Sequence, residues 1–206
     1  AEGGETAAEG ATFKIGAIGP LTGAAANYGI AVQNGADLAV KEINEAGGIN
    51  GYQVEYNCQD DENDTQKAVN AYNALKDWGM QMLVGTTTSQ PCIAVLAETS
   101  VDNMFHITPS GSAVESISEP NAFRICFSDP DQGRASAQYI GEHGMATKIG
   151  VIYDSSTEYS TGIYESFEEE AAGQGLEIVA AGAFTSDTNT DFTVQLTECK
   201  DAGAEL

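Results

Sequence analysis

The stretch at residues 13–56, FKIGAIGPLTGAAANYGIAVQNGADLAVKEINEAGGINGYQVEY, joins two strand-like segments through a glycine-rich bend and an amphipathic run. Apolar residues in this run recur at the spacing of one buried helix face, at Val32, Ala36, Ala39, Ile43 and Ala46. The pair Gly47 and Gly48 then predicts the end of the helix. The stretch therefore predicts a strand, a helix and a second strand in succession.

The same alternation continues along the chain and predicts the fold class. Further strands are expected at residues 52–59, 80–85, 104–109, 123–127, 148–153 and 176–184. Helices are expected from near Asp64, at Pro91–Val101, from Ser128 or Asp129 through Glu142, at Tyr159–Ala172 and from Asp191. Strict β-α alternation predicts an α/β protein with doubly wound parallel sheets. The interval 110–121 lacks a helical pattern, so we expect the chain to cross between two lobes there.

Composition excludes several classes of partner. Eight basic residues stand against 31 acidic residues, so the formal net charge is −23. This charge repels nucleic acid and anionic membrane surfaces, and otherwise indicates solubility or a salt-adapted source. No apolar run is long enough for a membrane helix, so direct membrane insertion is not expected. Residues 1–11, AEGGETAAEGA, predict a flexible acidic tether left by processing of a secreted protein or lipoprotein, or else an ordinary frayed terminus.

Metal and nucleotide cofactors are not expected. The four cysteines have no C-x-x-C spacing, and neither histidine is near them in sequence. Two of them, Cys58 and Cys92, could pair in an oxidising compartment or remain buried thiols. The segment DDENDT at 60–65 lacks the glycine and glutamate of a calcium loop and predicts a solvated loop with a helix N-cap. The bend at 16–23 matches neither the dinucleotide fingerprint nor the phosphate loop.

The loops that follow the predicted strands are rich in hydroxyl groups. They read GPLTGAAANYG, QDDENDT, GTTTSQP, TPSGS and DSSTEYSTG. Open parallel sheets place ligands at this edge, where hydroxyls and helix N-terminal amides can hold a carboxylate without a counter-charge. The alternative is that the Ser and Thr residues at 87–89 and 110–112 only cap the helices that follow.

Hydrolytic catalysis is the competing function. The chain has no G-x-S-x-G motif, and neither histidine has an obvious serine partner. His106 lies inside a predicted strand and His143 near a predicted helix end. We therefore expect a protein that is not an enzyme, with an ester or amide hydrolase using a loop serine as the alternative.

Six blocks, in order, resemble one family. They are IGAIGPLTGAAANYG, AVKEINEAGGINGYQVE, LVGTTTSQP, ITPSGS, FRICFSDPDQG and DSSTEYSTG, within residues 12–206. Together they resemble the leucine/isoleucine/valine type of extracytoplasmic substrate-binding protein, which has the type I periplasmic-binding fold. The resemblance implies two lobes that close on an amino acid or similar small carboxylate or amide. It also implies delivery to the permease of an ABC importer, and an extracytoplasmic location that is periplasmic or, for a lipoprotein, at the cell surface.

The resemblance also implies roles for individual residues. Ser89 matches the serine whose hydroxyl meets the ligand carboxylate, a role that Thr87 or Thr88 could take instead. Ser110 matches a residue that contacts the ligand through its backbone, and Ser112 matches one that contacts it through a side-chain hydroxyl. Tyr28 and Tyr159 match two aromatic walls of the ligand site. The predicted ligand-binding set is therefore Tyr28, Thr88, Ser89, Ser110, Ser112 and Tyr159.

The predicted lobes are residues 12–122 and residues 123–206. The resemblance implies that the chain is truncated within the second lobe, and that the acidic residue holding the ligand ammonium would fall after Leu206. A ligand-sensing domain of a receptor or regulator is a further alternative. The regulator would need an N-terminal helix-turn-helix, in place of which this sequence has the acidic tether.

Overall fold

The computed structural model describes residue 10 and residues 12–206, so the predicted tether at 1–11 lies outside the described residues except at Gly10. These residues form two compact units. The first contains the described residues up to Gly111 together with Glu115–Cys126. The second contains Ser112–Val114 and Phe127–Leu206.

The first unit is a five-stranded parallel sheet with its connecting helices. Its strands are β1 (Thr12–Gly19), β2 (Gln53–Asp60), β3 (Met82–Gly85), β4 (His106–Thr108) and β5 (Ala122–Arg124). Its helices are α1 (Ala26–Glu45), α2 (Thr65–Trp78) and α3 (Ser89–Asp102), and a 3₁₀ helix at Val114–Ile117 follows β4. The strand order is β2-β1-β3-β4-β5, and every pairing is parallel, as the alternation predicts.

The second unit repeats the pattern on a smaller scale. Its helices are α4 (Asp129–Glu142), α5 (Glu158–Ala171) and α6 (Thr193–Asp201), with short 3₁₀ helices at Ala172–Gln174 and Ser186–Thr188. Its strands β6 (Lys148–Asp154) and β7 (Glu177–Phe184) pair in parallel. Of the two predicted starts of α4, the structure uses Ser128 as the N-cap, in a capping box with Asp131. None of the helices among the described residues is long and apolar enough to cross a membrane.

The core of the first unit confirms the predicted apolar face of α2. Ala68, Tyr72 and Leu75 are fully buried and pack with Ile18 and Leu83 of the sheet. The helix begins where the Asp64 side chain accepts a hydrogen bond from the Lys67 amide, and it ends at Gly79 in the left-handed conformation. The predicted start near Asp64 and the predicted apolar face are therefore both confirmed.

Helix α1 ends where the sequence predicts, but it does not have the predicted burial. It ends at Glu45, and Gly47 and Gly48 both have positive φ. The predicted buried positions are only half-buried or exposed, with Ala39 and Ala46 among the exposed ones. Only Gly29 of this helix is fully buried. Periodicity identifies which residues share a face, but it does not establish how much of that face is covered.

The first unit extends past the predicted lobe boundary at 122. Strand β5 pairs with β4, and the Ile125 amide donates to the Thr108 carbonyl, so these residues lie in the first unit. The strand predicted at 123–127 is therefore shorter than expected and ends at Arg124. Its neighbour β4 has only three residues, so the backbone of a longer β5 would have no strand to pair with.

A buried polar network joins α3 to β4. His106 is fully buried, with its Nε2 3.5 Å from the Cys92 Sγ and its Nδ1 3.2 Å from the Thr99 hydroxyl. Burial lowers the pKa of His106 from 6.5 to about 4 and raises the pKa of Cys92 to about 11. Of the alternatives for Cys58 and Cys92, the structure has separate thiols rather than a disulfide.

The second unit depends on close contact between α4 and α5. A Cβ on Gly133 would lie 2.3 Å from the Ile163 carbonyl oxygen and 2.7 Å from the Phe167 amide nitrogen. Only glycine allows the two backbones to approach this closely. Around this contact the core contains Ala137, Ile149 and Phe167.

Gly133→Ala is therefore expected to destabilise the protein. The added methyl group meets backbone atoms that cannot rotate away, so the free energy of unfolding should fall by about 1–3 kcal/mol or more. Urea denaturation followed by circular dichroism measures the change. The matched control is Gly35→Ala in α1, where an added Cβ has no neighbour within 4 Å, and where alanine should be neutral or stabilising by about 1 kcal/mol.

The buried His106 should make the free energy of unfolding depend on pH. Because its folded pKa is about 4 against an ordinary 6.5, the unfolded chain alone gains a proton in that range. Its contribution to stability is thus fully present above pH 6.5 and is lost as the pH falls toward 4. Burial raises the pKa of Asp61 to about 6, which opposes this loss over the same range.

Comparing the wild type with His106→Gln separates the contribution of the histidine from that of Asp61, which both proteins share. Urea unfolding should show the stability advantage of the wild type shrinking by about 2 kcal/mol between about pH 7.5 and about pH 5. An advantage that stays constant over this interval contradicts a neutral, desolvated His106.

Candidate functional site

The loops at the carboxyl edge of the first sheet lie against one another. The loops after β3 and β4 are joined by two side-chain hydrogen bonds. The Thr108 hydroxyl donates to the Thr86 carbonyl at 2.7 Å, and the Ser110 hydroxyl donates to the Thr87 carbonyl at 2.6 Å. Thr108 also accepts a hydrogen bond from the Gly111 amide at 2.8 Å. The predicted convergence of these two loops is therefore present within the first unit.

Helix α3 begins in this region, and its hydroxyls do not cap it. The N-cap is Thr88, with φ −109° and ψ 154°, and its side chain makes no capping hydrogen bond. Ser89 is the first helical residue and is 7% exposed. Within the described part of the chain, the buried hydroxyls of Thr87 and Thr88 have no hydrogen-bond partner. Because a buried hydroxyl without a partner is costly, such groups are found where a ligand or water supplies one.

The capping alternative is therefore wrong for Thr88 and for Ser110. The Thr88 hydroxyl leaves the N-terminus of α3 uncapped, and the Ser110 hydroxyl bonds to the neighbouring loop instead of a helix. The Ser110 side chain is thus already used within the protein, which leaves its backbone as the part that can meet a ligand. This is the role that the family resemblance implies for Ser110.

The loop after β1 reaches the same edge through close backbone contacts. A Cβ on Gly19 would lie 2.3 Å from the Thr87 hydroxyl oxygen, and a Cβ on Gly29 would lie 1.9 Å from the Pro20 carbonyl oxygen. The first turn of α1 therefore packs directly on its own loop. It carries Tyr28, which is 66% exposed, so a large aromatic surface lies next to this loop.

The loop after β2 is only partly the solvated loop that the sequence predicts. Asp64 caps α2 as expected, but Asp61 is fully buried. Asp60 accepts hydrogen bonds from the Leu21 amide at 2.8 Å and from the Thr22 hydroxyl at 2.6 Å. Burial acts to raise the pKa of Asp60, but these hydrogen bonds outweigh it and lower the pKa below its usual value.

Sequence reasoning missed the contact between Asp60 and the first loop. The available signal was a carboxylate at the end of the strand next to β1, opposite a loop with an amide and a hydroxyl to donate. A run of acidic residues hides this signal, because composition does not distinguish a solvated carboxylate from one that is bonded to a neighbour.

Two of the predicted site residues belong to the second unit. Ser112 is 4% exposed, and its carbonyl accepts a hydrogen bond from the Asp129 amide at 3.0 Å. Tyr159 is the second residue of α5, after the N-cap Thr157, and is 48% exposed. The structure thus brings Thr88, Ser89 and Ser110 together in the first unit, and sets Ser112 and Tyr159 in the second.

Three of the loops at this edge, those after β1, β3 and β4, carry no charged side chain. Residues 19–29, 86–91 and 108–112 contain no lysine, arginine, aspartate or glutamate. Among the described residues there is also no cluster of three or more histidine, cysteine, aspartate or glutamate side chains that could hold a metal ion. An anion bound here would have to be held by hydroxyls, backbone amides and the N-terminus of α3.

Comparison with known proteins gives a consistent result. Residues 12–206 match the model of the family described as periplasmic binding protein. A Leu/Ile/Val-binding protein homolog 3 from Brucella melitensis is 31% identical over 95% of this chain and 53% of its own length. A leucine-, isoleucine-, valine-, threonine- and alanine-binding protein from Pseudomonas aeruginosa is 30% identical over 95% of this chain and 52% of its own length.

Solved structures agree with the sequence relatives. The branched-chain amino acid transporter substrate-binding protein LivJ from Streptococcus pneumoniae, in complex with isoleucine, superposes with a TM-score of 0.84 at 34% identity. The match covers 92% of this chain and 54% of that one. The chain spans about half the length of the relatives it matches. With the parallel α/β architecture described above, these matches show that the chain belongs to the periplasmic binding protein family and has its type I fold.

Proposed function

We propose that the protein binds an amino acid, branched-chain or related, or a similar small carboxylate or amide. It delivers this ligand to the permease of an ABC importer, in an extracytoplasmic location that is periplasmic or, for a lipoprotein, at the cell surface. The observation that carries the proposal is the neutral, hydroxyl-lined start of α3, where Thr87 and Thr88 have buried hydroxyls without partners. The relatives named as amino-acid-binding proteins support the same class of ligand.

The ligand carboxylate is held by donors without a cation. The Ser89 hydroxyl, the Ser110 backbone and the Ser112 hydroxyl donate to it, with Thr88 beside Ser89 at the helix start. Burying a carboxylate without such donors costs several kcal/mol, so its binding depends on them. A neutral set of donors also suits a zwitterionic amino acid, since a cation here would repel the ligand ammonium.

Tyr28 and Tyr159 supply apolar walls for the ligand side chain. Both are substantially exposed in the structure, and each stands in the first turn of a helix that follows a strand and its loop. Exposed aromatic rings at such positions gain apolar contact when a ligand covers them. Both tyrosines therefore contact the ligand, and neither packs in the core.

The geometry of the two histidines favours binding over hydrolysis. The ring nitrogens of His106 are next to Cys92 and Thr99 in the core, and the Nδ1 of His143 lies 2.9 Å from the Tyr139 carbonyl oxygen. A loop serine would need a histidine within hydrogen-bond distance to act as a nucleophile. Because the ring nitrogens of His106 face core side chains and the Nδ1 of His143 faces a helix carbonyl, we propose a protein without catalytic activity.

Ser89→Ala is expected to weaken ligand binding. Loss of a hydrogen bond to a charged group costs about 1.5–3 kcal/mol, which corresponds to roughly a 10- to 150-fold rise in Kd. Isothermal titration calorimetry of the full-length protein measures it, with the ligand chosen from a thermal-shift screen of amino acids and small carboxylates.

The matched control is Ser100→Ala, near the opposite end of the same helix, where the hydroxyl bonds to the Ala97 carbonyl. It should leave Kd unchanged. Equal affinity for Ser89→Ala and wild type would remove Ser89 from the site, and turnover of ester or amide substrates would contradict a binding-only protein.

A further inference from the structure

The loops that precede the two tyrosines are each fixed by an aspartate at the end of a strand. In the first unit, Asp60 is the last residue of β2 and lies opposite Gly19 in the parallel ladder. One of its carboxylate oxygens accepts the Leu21 amide at 2.8 Å and the Glu62 amide at 2.9 Å. The other accepts the Thr22 hydroxyl at 2.6 Å. One carboxylate therefore joins the loop after β1 to the loop after β2.

The first loop has few other connections to the rest of its unit. Within residues 20–25, the side-chain hydrogen bonds to distant parts of the chain all end on Asp60. The remaining bonds are local, from the Ala26 amide to the Gly23 carbonyl and from the Tyr28 amide to the Ala25 carbonyl. The position of this loop, and of the first turn of α1, therefore depends on Asp60 and on the contact between Gly29 and Pro20.

The second unit repeats this arrangement with different residues. Asp154 is the last residue of β6, and its Oδ1 accepts the Ser156 amide at 2.8 Å and the Ser156 hydroxyl at 2.5 Å. Its Oδ2 accepts the Ser186 hydroxyl at 2.8 Å, which joins the loop after β6 to the loop after β7. The Asp154 amide also donates to the Ser160 hydroxyl at 3.0 Å, in the first turn of α5 beside Tyr159.

We propose that Asp60 and Asp154 are positioning residues for ligand binding. Each carboxylate holds one tyrosine-bearing loop in its binding conformation before the ligand arrives, without touching the ligand. This inference rests on the proposed function, because it takes Tyr28 and Tyr159 as ligand walls. Its physical basis is pre-organisation, since a loop that is already ordered loses less conformational entropy on binding.

The carboxylates suit this role because they are fully ionised acceptors. For both residues burial acts to raise the pKa, but the hydrogen bonds that they accept outweigh burial and lower it. Charge-assisted hydrogen bonds are shorter and stronger than neutral ones. A neutral amide in the same place keeps one acceptor oxygen, so the asparagine variant should retain part of the effect.

The experiment compares Asp60→Ala and Asp60→Asn with a matched control, Asp64→Ala. Asp64 stands four residues along the chain, and its side chain caps α2 by accepting the Lys67 amide, at the start of its own helix. For each full-length variant, calorimetry gives Kd, and amide hydrogen exchange of the ligand-free protein gives the mobility of residues 20–28. The parallel set for the second unit is Asp154→Ala, Asp154→Asn and the control Asp191→Ala.

Asp60→Ala is expected to raise Kd about tenfold and to accelerate exchange in residues 20–28 before any ligand is added. Asp60→Asn should recover part of both losses, and Asp64→Ala should lower thermal stability while leaving Kd and this segment unchanged. Exchange at 20–28 that stays at the wild-type rate overturns the inference. So does a Kd within twofold of wild type, or an equal loss of affinity in Asp64→Ala.

The two proposals fail in distinguishable ways. If the wild-type protein binds no amino acid or small carboxylate in the screen, the proposed function is wrong. The hydrogen exchange of residues 20–28 and 155–159 in the ligand-free variants still decides whether the two aspartates fix these loops.

Discussion

Two hydroxyl-to-carbonyl hydrogen bonds across the edge of the first sheet determine the form of the candidate site. Thr108, the last residue of β4, and Ser110, in the loop after it, donate to the backbone carbonyls of Thr86 and Thr87 in the loop after β3. Parallel strands bring their carboxyl ends to one edge, but they do not by themselves fix the loops beyond. These bonds do so, and they leave the start of α3 with hydroxyls that cap nothing.

Three loops of this edge are uncharged in a chain with a net charge of −23. Acidic residues are common elsewhere, including the neighbouring loop after β2, yet residues 19–29, 86–91 and 108–112 contain no charged side chain. A carboxylate ligand would meet no fixed negative charge among these residues, and its own charge would be met by dipoles and hydroxyls. The acidic surface and the neutral site are therefore compatible, because the repulsion is screened by solvent outside the loops.

The buried neutral groups and the half-buried carboxylates have different places in the fold. His106 and Cys92 lie in the core between α3 and β4, where burial keeps both neutral. Asp60 and Asp154 remain ionised because they accept several hydrogen bonds at the ends of their strands. These groups support the loops and the core, while the proposed ligand contacts are made by neutral side chains.

The sequence by itself determined the alternation of strands and helices, the parallel sheets and the family. The starts of α2 and α4 followed from Asp64 and Ser128, because capping effects act within a few residues. Motif order along the chain also identified the hydroxyl-rich loops, since a loop that follows a strand is recognisable without knowing its neighbours.

Only the tertiary structure decided which of these groups are already occupied. It showed that Ser110 bonds to Thr87, that Asp60 holds the loop after β1, and that most of α1 stays half-buried or exposed. Each of these facts joins residues that are distant in sequence or depends on what covers a face. Local patterns carry no information about such contacts, because the strand order that creates them arises only when the sheet forms.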